Sequence, residues 1–221
     1  MMHAGANQQA VRLVCFDLGG VIVRICRTWE EACAAAGLGV RHDDSFHAPD
    51  HLHQRRALHR QHECGEVASA EYWGRMSRVI GGVYAPEEVE LIHQSWILGE
   101  YGGIAELVER LSSLADVETA CLSNTNEAHW RLLTGGPHHR AVSHLHHRVA
   151  SHEIKQAKPD EAAYRYVERL TTRRAGEILF FDDMPENIDA ARSIGWRAEL
   201  IDHTGDTTAQ IDAHLRTHGV W

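Results

Sequence analysis

The chain of 221 residues has no excess of positive charge: Lys and Arg number 22 against 31 Asp and Glu, a formal net charge of −9. Gripping a phosphate backbone needs clustered Lys and Arg, so this balance argues against a nucleic-acid partner. It suits a divalent cation held by carboxylates. No apolar run approaches the roughly 18 residues of a membrane span, and Met1 to Gln9 has neither the basic start nor the apolar stretch of a secretory signal. No membrane partner is expected, and a cytoplasmic location is the default expectation. Cysteine is scarce and unpatterned: Cys15, Cys26, Cys33, Cys64 and Cys121 are odd in number, lack any Cys-x-x-Cys spacing, and two lie in apolar runs. That predicts buried reduced thiols rather than disulfides or a zinc site. Internal repeats and low-complexity linkers are also missing. What remains, 43% hydrophobic and 24% charged residues, is an ordinary globular composition with matter for a core. The length allows one domain with a sizeable insertion, or two domains.

An apolar run, Val11 to Phe16, stops at Asp17-Leu18-Gly19-Gly20-Val21. A buried strand ending in a carboxylate and two glycines presents one acid at a sheet edge where a ligand can approach the backbone closely. Asp17 is therefore a nucleophile or a metal ligand. Four further strands are predicted at Glu118 to Leu122, His147 to Ala150, Glu177 to Phe181 and Arg197 to Ile201. Helical patterns at Ile104 to Leu114, Asn126 to Leu133, Glu161 to Leu170 and Pro185 to Ile194 alternate with them. The alternation predicts an α/β fold with a parallel sheet covered on both faces, and ligands bind beyond the carboxyl ends of such strands.

Residues 24–100 break the alternation. Thr28-Trp29-Glu30-Glu31 has the form of a capping box, Ser69 is placed to cap a helix through Met76, and Pro86 to open one running to Trp96. Val89, Ile92 and Trp96 fall at helical spacing, which predicts packing. A helical insertion directly after the first strand is placed to act as a lid. His138, His139, His144, His146, His147 and His152 crowd a later segment, but no Cys or carboxylate supports them at a ligand spacing, which favours a solvated loop over a metal site.

The strand ends collect polar residues: Asp17, then Ser123-Asn124-Thr125-Asn126, then Asp182-Asp183, with Lys158-Pro159 opening the helix before the last of these. Each has a use if the substrate is a small phosphate ester. A carboxylate attacking a phosphate dianion brings like charges together, at about 4 kcal/mol per unit pair at 4 Å and an effective dielectric of 20. A divalent metal and a lysine offset that repulsion. Asp17 and Asp183 are hard-oxygen donors suited to Mg2+, while Ser123, Asn124 and Lys158 would bind the phosphoryl oxygens. An aspartyl-phosphate would split hydrolysis into two easier displacements.

Phe16-Asp17-Leu18-Gly19-Gly20-Val21, Leu122-Ser123-Asn124-Thr125-Asn126, Lys158-Pro159 and Phe180-Phe181-Asp182-Asp183 resemble the four motifs of the haloacid dehalogenase-like hydrolases, over Val11 to Ile201. Ser151-His152-Glu153-Ile154 and Asn187 bring the chain closer to a branch that includes bacterial glucose-1-phosphate phosphatases and the phosphatase domain of soluble epoxide hydrolases. The resemblance implies a Rossmann-like core, residues 1–23 and 101–221, with an α-helical cap inserted at 24–100. It implies a Mg2+-dependent phosphatase of a small phosphorylated metabolite, a sugar phosphate first of all. Asp17 would be nucleophile and metal ligand, Ser123, Asn124 and Lys158 the phosphate binders. Asp183 would be a direct metal ligand, Asp182 would hold a metal-bound water, and Gly19 would contribute a backbone carbonyl to the metal.

One position departs from the family pattern. Most phosphatases of this superfamily carry a second Asp two residues after the nucleophile, as general acid and base; here it is Gly19. Such catalysis contributes about 10²- to 10⁴-fold, so poor leaving groups should suffer most. The proton could come from metal-bound water, from the substrate, or from His51, His53, His59 or His62. Lys155 is either an extra cation near the phosphate or a solvated lysine. Two other functions stay open: a phosphometabolite-binding protein with little turnover, and a carbon–halogen hydrolase, against which the paired Asp182-Asp183 counts.

Overall fold

The computed structural model describes residues 9–41, 44–136 and 140–221. In chain order its elements are β1 (Leu13–Phe16), β2 (Val23–Ile25), α1 (Trp29–Ala35), α2 (Pro49–Glu63), α3 (Ser69–Val79), α4 (Pro86–Gln94), β3 (Ile97–Glu100), α5 (Ile104–Ser112), β4 (Glu118–Ser123), α6 (Glu127–Gly135), α7 (Arg140–Ser143), β5 (His147–Ala150), α8 (Ser151–Ile154), α9 (Glu161–Thr171), β6 (Ile178–Asp182), α10 (Pro185–Ser193), β7 (Arg197–Leu200) and α11 (Thr207–Thr217). Strands β5, β4, β1, β6 and β7 form, in that order, one parallel sheet. The chain fills one side of β1 with β4 and β5, then crosses to β6 and β7. The order therefore reverses beside β1, where open α/β sheets bind ligands. This is the α/β architecture that the alternation of strands and helices predicts, and the Rossmann-like core that the resemblance implies.

Side chains alternate across a strand, so Val14, Phe16, Cys121, Leu179 and Phe181 face α5 and α11 through Val108, Leu111, Ile211 and Leu215. Leu13, Cys15, Ala120, Ile178 and Phe180 face the other way, against Tyr164, Val167, Ile188 and Ala191 of α9 and α10. Because both faces are covered, β1 has no polar residue and is buried throughout. All five cysteines are buried and free, as expected. No described helix is long and apolar enough to cross a membrane.

The helices between β2 and β3 have a hydrophobic core of their own, built on Trp29, Tyr72, Trp73, Met76, Val89 and Ile92. The apolar pattern does not predict β2 and β3, which are only three and four residues long. They pair antiparallel, Arg24 opposite Gly99, so the segment at 24–100 starts and ends inside one ribbon.

Local expectations shift where side chains find better partners. Thr28 caps α1, its Oγ1 accepting from Glu31 N–H at 3.1 Å, but Glu31 returns its bond to the N–H of Arg27 at 2.6 Å, not to Thr28. Ser69 is not a cap: it follows Ala68 as the first residue of α3, and its hydroxyl lies 3.0 Å from His62 Nε2. Helix α4 stops at Gln94, leaving half-buried Trp96 beyond its end. Pro159 does not open a helix. A turn from Ala157 to Asp160, closed at 3.0 Å, precedes α9, and the Lys158–Pro159 peptide is cis.

Candidate active site

The register of the sheet sets Phe16 level with Cys121 and Phe181, so the carboxyl ends of β1, β4 and β6 meet at one edge with Asp17, Ser123 and Asp182. Asp17 is tied there by its N–H, which donates to the Phe181 carbonyl at 2.8 Å. Lys158 reaches in from the loop between α8 and α9. Its Nζ lies 2.7 Å from Asp17 Oδ1 and 2.6 Å from Asp182 Oδ2. Lys158 is only 2% exposed and Asp182 fully buried, so the lysine charge depends on these two partners.

Further bonds fix each member. Asp182 Oδ1 accepts from Met184 N–H at 2.8 Å and Asn187 Nδ2 at 3.0 Å. Asn124 clamps the Lys158 backbone, donating to its carbonyl and accepting from its N–H, each at 2.9 Å. Asp183, with its side chain 4% exposed, pairs with Arg27 at 2.6 Å. Gly20, at φ +86°, leaves room for this pair, since a Cβ there would strike both Arg27 and Asp183. At Gly19 a Cβ would lie 2.9 Å from Ile25 Cδ1. The space of the absent carboxylate is thus taken by Ile25.

Asp17, Asp182 and Asp183 each offer an oxygen within 4.8 Å of the others, the one such group among the described residues. Burial is the largest influence on Asp17 and raises its pKa; the Lys158 charge pulls it down, and Asp182 and Asp183 push it back, to about 7. Burial opposes the Lys158 charge, yet Asp17 and Asp182 hold its pKa above the ordinary lysine range. Three hard-oxygen donors short of positive charge are a fitting set for a small divalent cation.

A cavity of about 340 Å³ opens on Gly19, Ser123 and Asn124 and runs to the helices, where Trp29, Tyr72, Trp96, His59 and Glu63 line it. His51 and His53 do not line it. His62 is stacked on Tyr72 at 4.0 Å and bonded to Ser69, and burial lowers its pKa to about 3. Burial likewise lowers His129 to about 4, with its Nε2 donating to the His93 carbonyl at 2.7 Å, and holds His93 well below 6.5. Lys155 is exposed to solvent, as the second of its two readings expects, and its Nζ donates to the Gly65 carbonyl at 2.9 Å.

Of the crowded histidines, His138 and His139 lie outside the described residues. His146 Nδ1 accepts from Thr119 N–H at 3.1 Å, His147 pairs with Glu118 at 3.3 Å, and His152 packs edge-on to Trp130. They join no metal cluster among the described residues. Sequence reasoning missed Arg27 altogether, for no spacing rule links it to a carboxylate 156 residues away. Asn187 was visible as an amide in the turn after Asp182-Asp183, but not its bonds to both Asp182 oxygens, at 3.0 and 3.1 Å.

A family model described as haloacid dehalogenase-like hydrolase matches residues 11–195. The curated protein "Phosphatase MT3486" of Mycobacterium tuberculosis is 37% identical over 71 residues, 32% of this chain. That match spans 33% of the curated protein's own length. Among solved structures, a HAD family enzyme of Bacteroides thetaiotaomicron superposes with a TM-score of 0.76 at 20% identity, covering 92% of this chain and 99% of that one. The same enzyme, solved in complex with magnesium and inorganic phosphate, gives 0.73 over 89% of this chain and 97% of its own. A predicted HAD-like family hydrolase from Porphyromonas gingivalis gives 0.74 at 22% identity, covering 94% and 99%.

Proposed function

This chain belongs to the haloacid dehalogenase-like hydrolases, and we propose that within them it is a Mg2+-dependent phosphatase of small phosphoric monoesters. The observation that carries the reading is the buried Lys158 ammonium, held 2.7 Å from Asp17 and 2.6 Å from Asp182 beside Asp183. One amine placed among three carboxylates at the ends of parallel strands is a receptor for an anion that arrives with its own cation. The magnesium-and-phosphate complex of the Bacteroides enzyme supports the same pairing of ligands.

In this reading Asp17 is the nucleophile, and its attack on phosphorus forms an aspartyl-phosphate. Lys158 holds a phosphoryl oxygen, and Ser123, which lines the cavity, donates to another. The Asn124 side chain is committed to the Lys158 backbone, so Asn124 positions the lysine and would meet phosphate through its own N–H. Asp17, Asp183 and the Gly19 carbonyl would hold the metal, which supplies charge neutralisation to the phosphoryl group. Asp182 accepts four hydrogen bonds, from Lys158, Met184 and Asn187, which suits it to orient Lys158; to hold a metal-bound water it would have to give up one of them. Residues 24–100 are the cap over this site.

The leaving group would occupy the cavity, which Trp29 and Trp96 line with apolar surface and His59 and Glu63 with polar groups. Sugar phosphates are the first class to assay there. The test is turnover of an aryl phosphate and of a sugar-phosphate panel, with and without Mg2+. Activity that needs Mg2+ and vanishes in Asp17→Asn is expected; turnover surviving that substitution or a chelator would defeat the reading. Ile25 in the space beside Gly19 favours one other reading, a phosphate-ester binder of little turnover. Calorimetric binding without phosphate release would establish it.

A further inference from the structure

Gly19 leaves the departing alkoxide without a proton donor, and four histidines cluster at the helical side of the cavity: His59, His93 and His129 line it, and His62 lies behind them, stacked on Tyr72. His62 is bonded to Ser69 and His129 to the His93 carbonyl, while His93 Nε2 and His59 Nδ1 each meet the Tyr72 hydroxyl at 3.4 Å. His59 alone of the four has a carboxylate partner, its Nε2 lying 3.3 Å from Glu63 Oε1 one turn along α2. Both side chains line the cavity that also exposes Gly19 and Ser123.

The pair is tied to the loops that carry Lys158 and Ser123. Arg60, adjacent to His59, donates to the carbonyls of Lys158 at 3.0 Å and Ala157 at 3.1 Å and pairs with Asp160 at 2.7 Å. The Glu63 carbonyl accepts at 2.6 Å from Ser151 Oγ, which accepts at 2.9 Å from Thr125 N–H, two residues after Ser123. Helix α2 is thus strapped, at the very turn that carries His59 and Glu63, onto the loops bearing Lys158 and Ser123. Resting on the phosphatase reading above, we propose that His59 is the general acid and base of the reaction and that Glu63 positions it.

In the first step an Asp17 oxygen bonds to phosphorus while the bond from phosphorus to the leaving oxygen breaks, and His59 gives its proton to that oxygen. In the second, neutral His59 takes a proton from the water attacking the aspartyl-phosphate. The phosphorus–oxygen bond to Asp17 then breaks, the carboxylate returns, phosphate departs, and His59 is protonated again. The groups facing His59 are Glu63, His62, Arg55 and Arg56 of α2, Tyr72 of α3, His93 of α4 and His129 of α6. Burial lowers the His59 pKa, but the charge and hydrogen bond of Glu63 more than offset it and leave it raised above 6.5.

Two aryl phosphates of similar size separate this role from packing. Phenyl phosphate releases a phenol of pKa about 10, as for tyrosine, whereas 4-nitrophenyl phosphate departs readily without a proton. His59→Gln should lower kcat/KM for phenyl phosphate about 10²-fold or more, and for 4-nitrophenyl phosphate by less than about tenfold. In the wild type, kcat/KM for phenyl phosphate should fall as pH rises through the His59 pKa, and Glu63→Gln should move that fall to lower pH. Equal losses on both substrates, or a fall that Glu63→Gln leaves in place, overturns the proposal. So does an NMR titration of the unmodified protein in which the His59 ring titrates below 6.5. Turnover of 4-nitrophenyl phosphate that survives Asp17→Asn overturns the phosphatase reading itself, and this proposal with it.

Discussion

Along the strand ends, Lys158, Asp17 and Asp182 are withdrawn from water as charged groups joined at 2.6 and 2.7 Å. Across the cavity stand the buried rings of His62 and His93 and the half-buried ring of His129, each with its pKa lowered by burial. Burial itself disfavours charge on both walls. The difference is whether an opposite charge is buried alongside: Lys158 has two carboxylates in contact, whereas those histidines meet a serine, a tyrosine and a backbone carbonyl. Paired charges therefore occupy one wall, where the proposed phosphoryl site lies, and the other is an aromatic surface on which His59 with Glu63 is the exception.

The contrast breaks most completely at Lys158. Lys158→Met leaves Asp17 and Asp182 buried without their cation, and denaturant unfolding should show a loss of about 3–5 kcal/mol; a variant as stable as the wild type would mean that the strand-end wall needs no charge balance. Arg27→Gln tests the rim of the same wall. Removing the guanidinium that occupies Asp183 Oδ2 frees that oxygen and takes a positive charge from the site, so Mg2+ binding, measured by calorimetry, should tighten roughly tenfold while the fold is retained. An unchanged affinity would place Arg27 outside the metal site.

The helical wall should fail toward acid. The folded pKa values of His62 and His129, about 3 and about 4, lie below the unfolded value, so the unfolded chain binds more protons between these limits. Their contribution is complete above about pH 6.5 and is lost as pH falls, at about 1.4 kcal/mol per pH unit for each ring. Urea unfolding at stepped pH checks this, and a profile without that slope would mean that the rings are charged in the folded protein. The smallest effect belongs to neither wall. Asp206 caps α11, accepting from Ala209 N–H at 2.9 Å, and Asp206→Ala should cost about 1 kcal/mol with kcat/KM unchanged.

The sheet was legible because parallel strands covered on both faces are unbroken apolar runs, and Asp17, Ser123 and Asp182 were legible because each ends such a run. Side-chain contacts between distant segments have no such signature. Arg27 reaches Asp183, Ile25 fills the space beside Gly19, and Asn124 binds the Lys158 backbone instead of pointing only at a ligand. The ribbon of β2 and β3 is too short for alternation to reveal. Ser69 and Pro159 carried correct local propensities that tertiary bonds and a tight turn overrode.

The carbonyl of Lys158 is shared, accepting from Arg60 of α2 and from Asn124 of the loop after β4. A swing of the helices about the β2 and β3 ribbon would have to tear Arg60 from that peptide and from Ala157 and Asp160. The amine between Asp17 and Asp182 is aimed by the same peptide. One peptide therefore joins the helices, the loop after β4 and the buried amine, and displacing α2 would cost it one anchor while Asn124 kept the other.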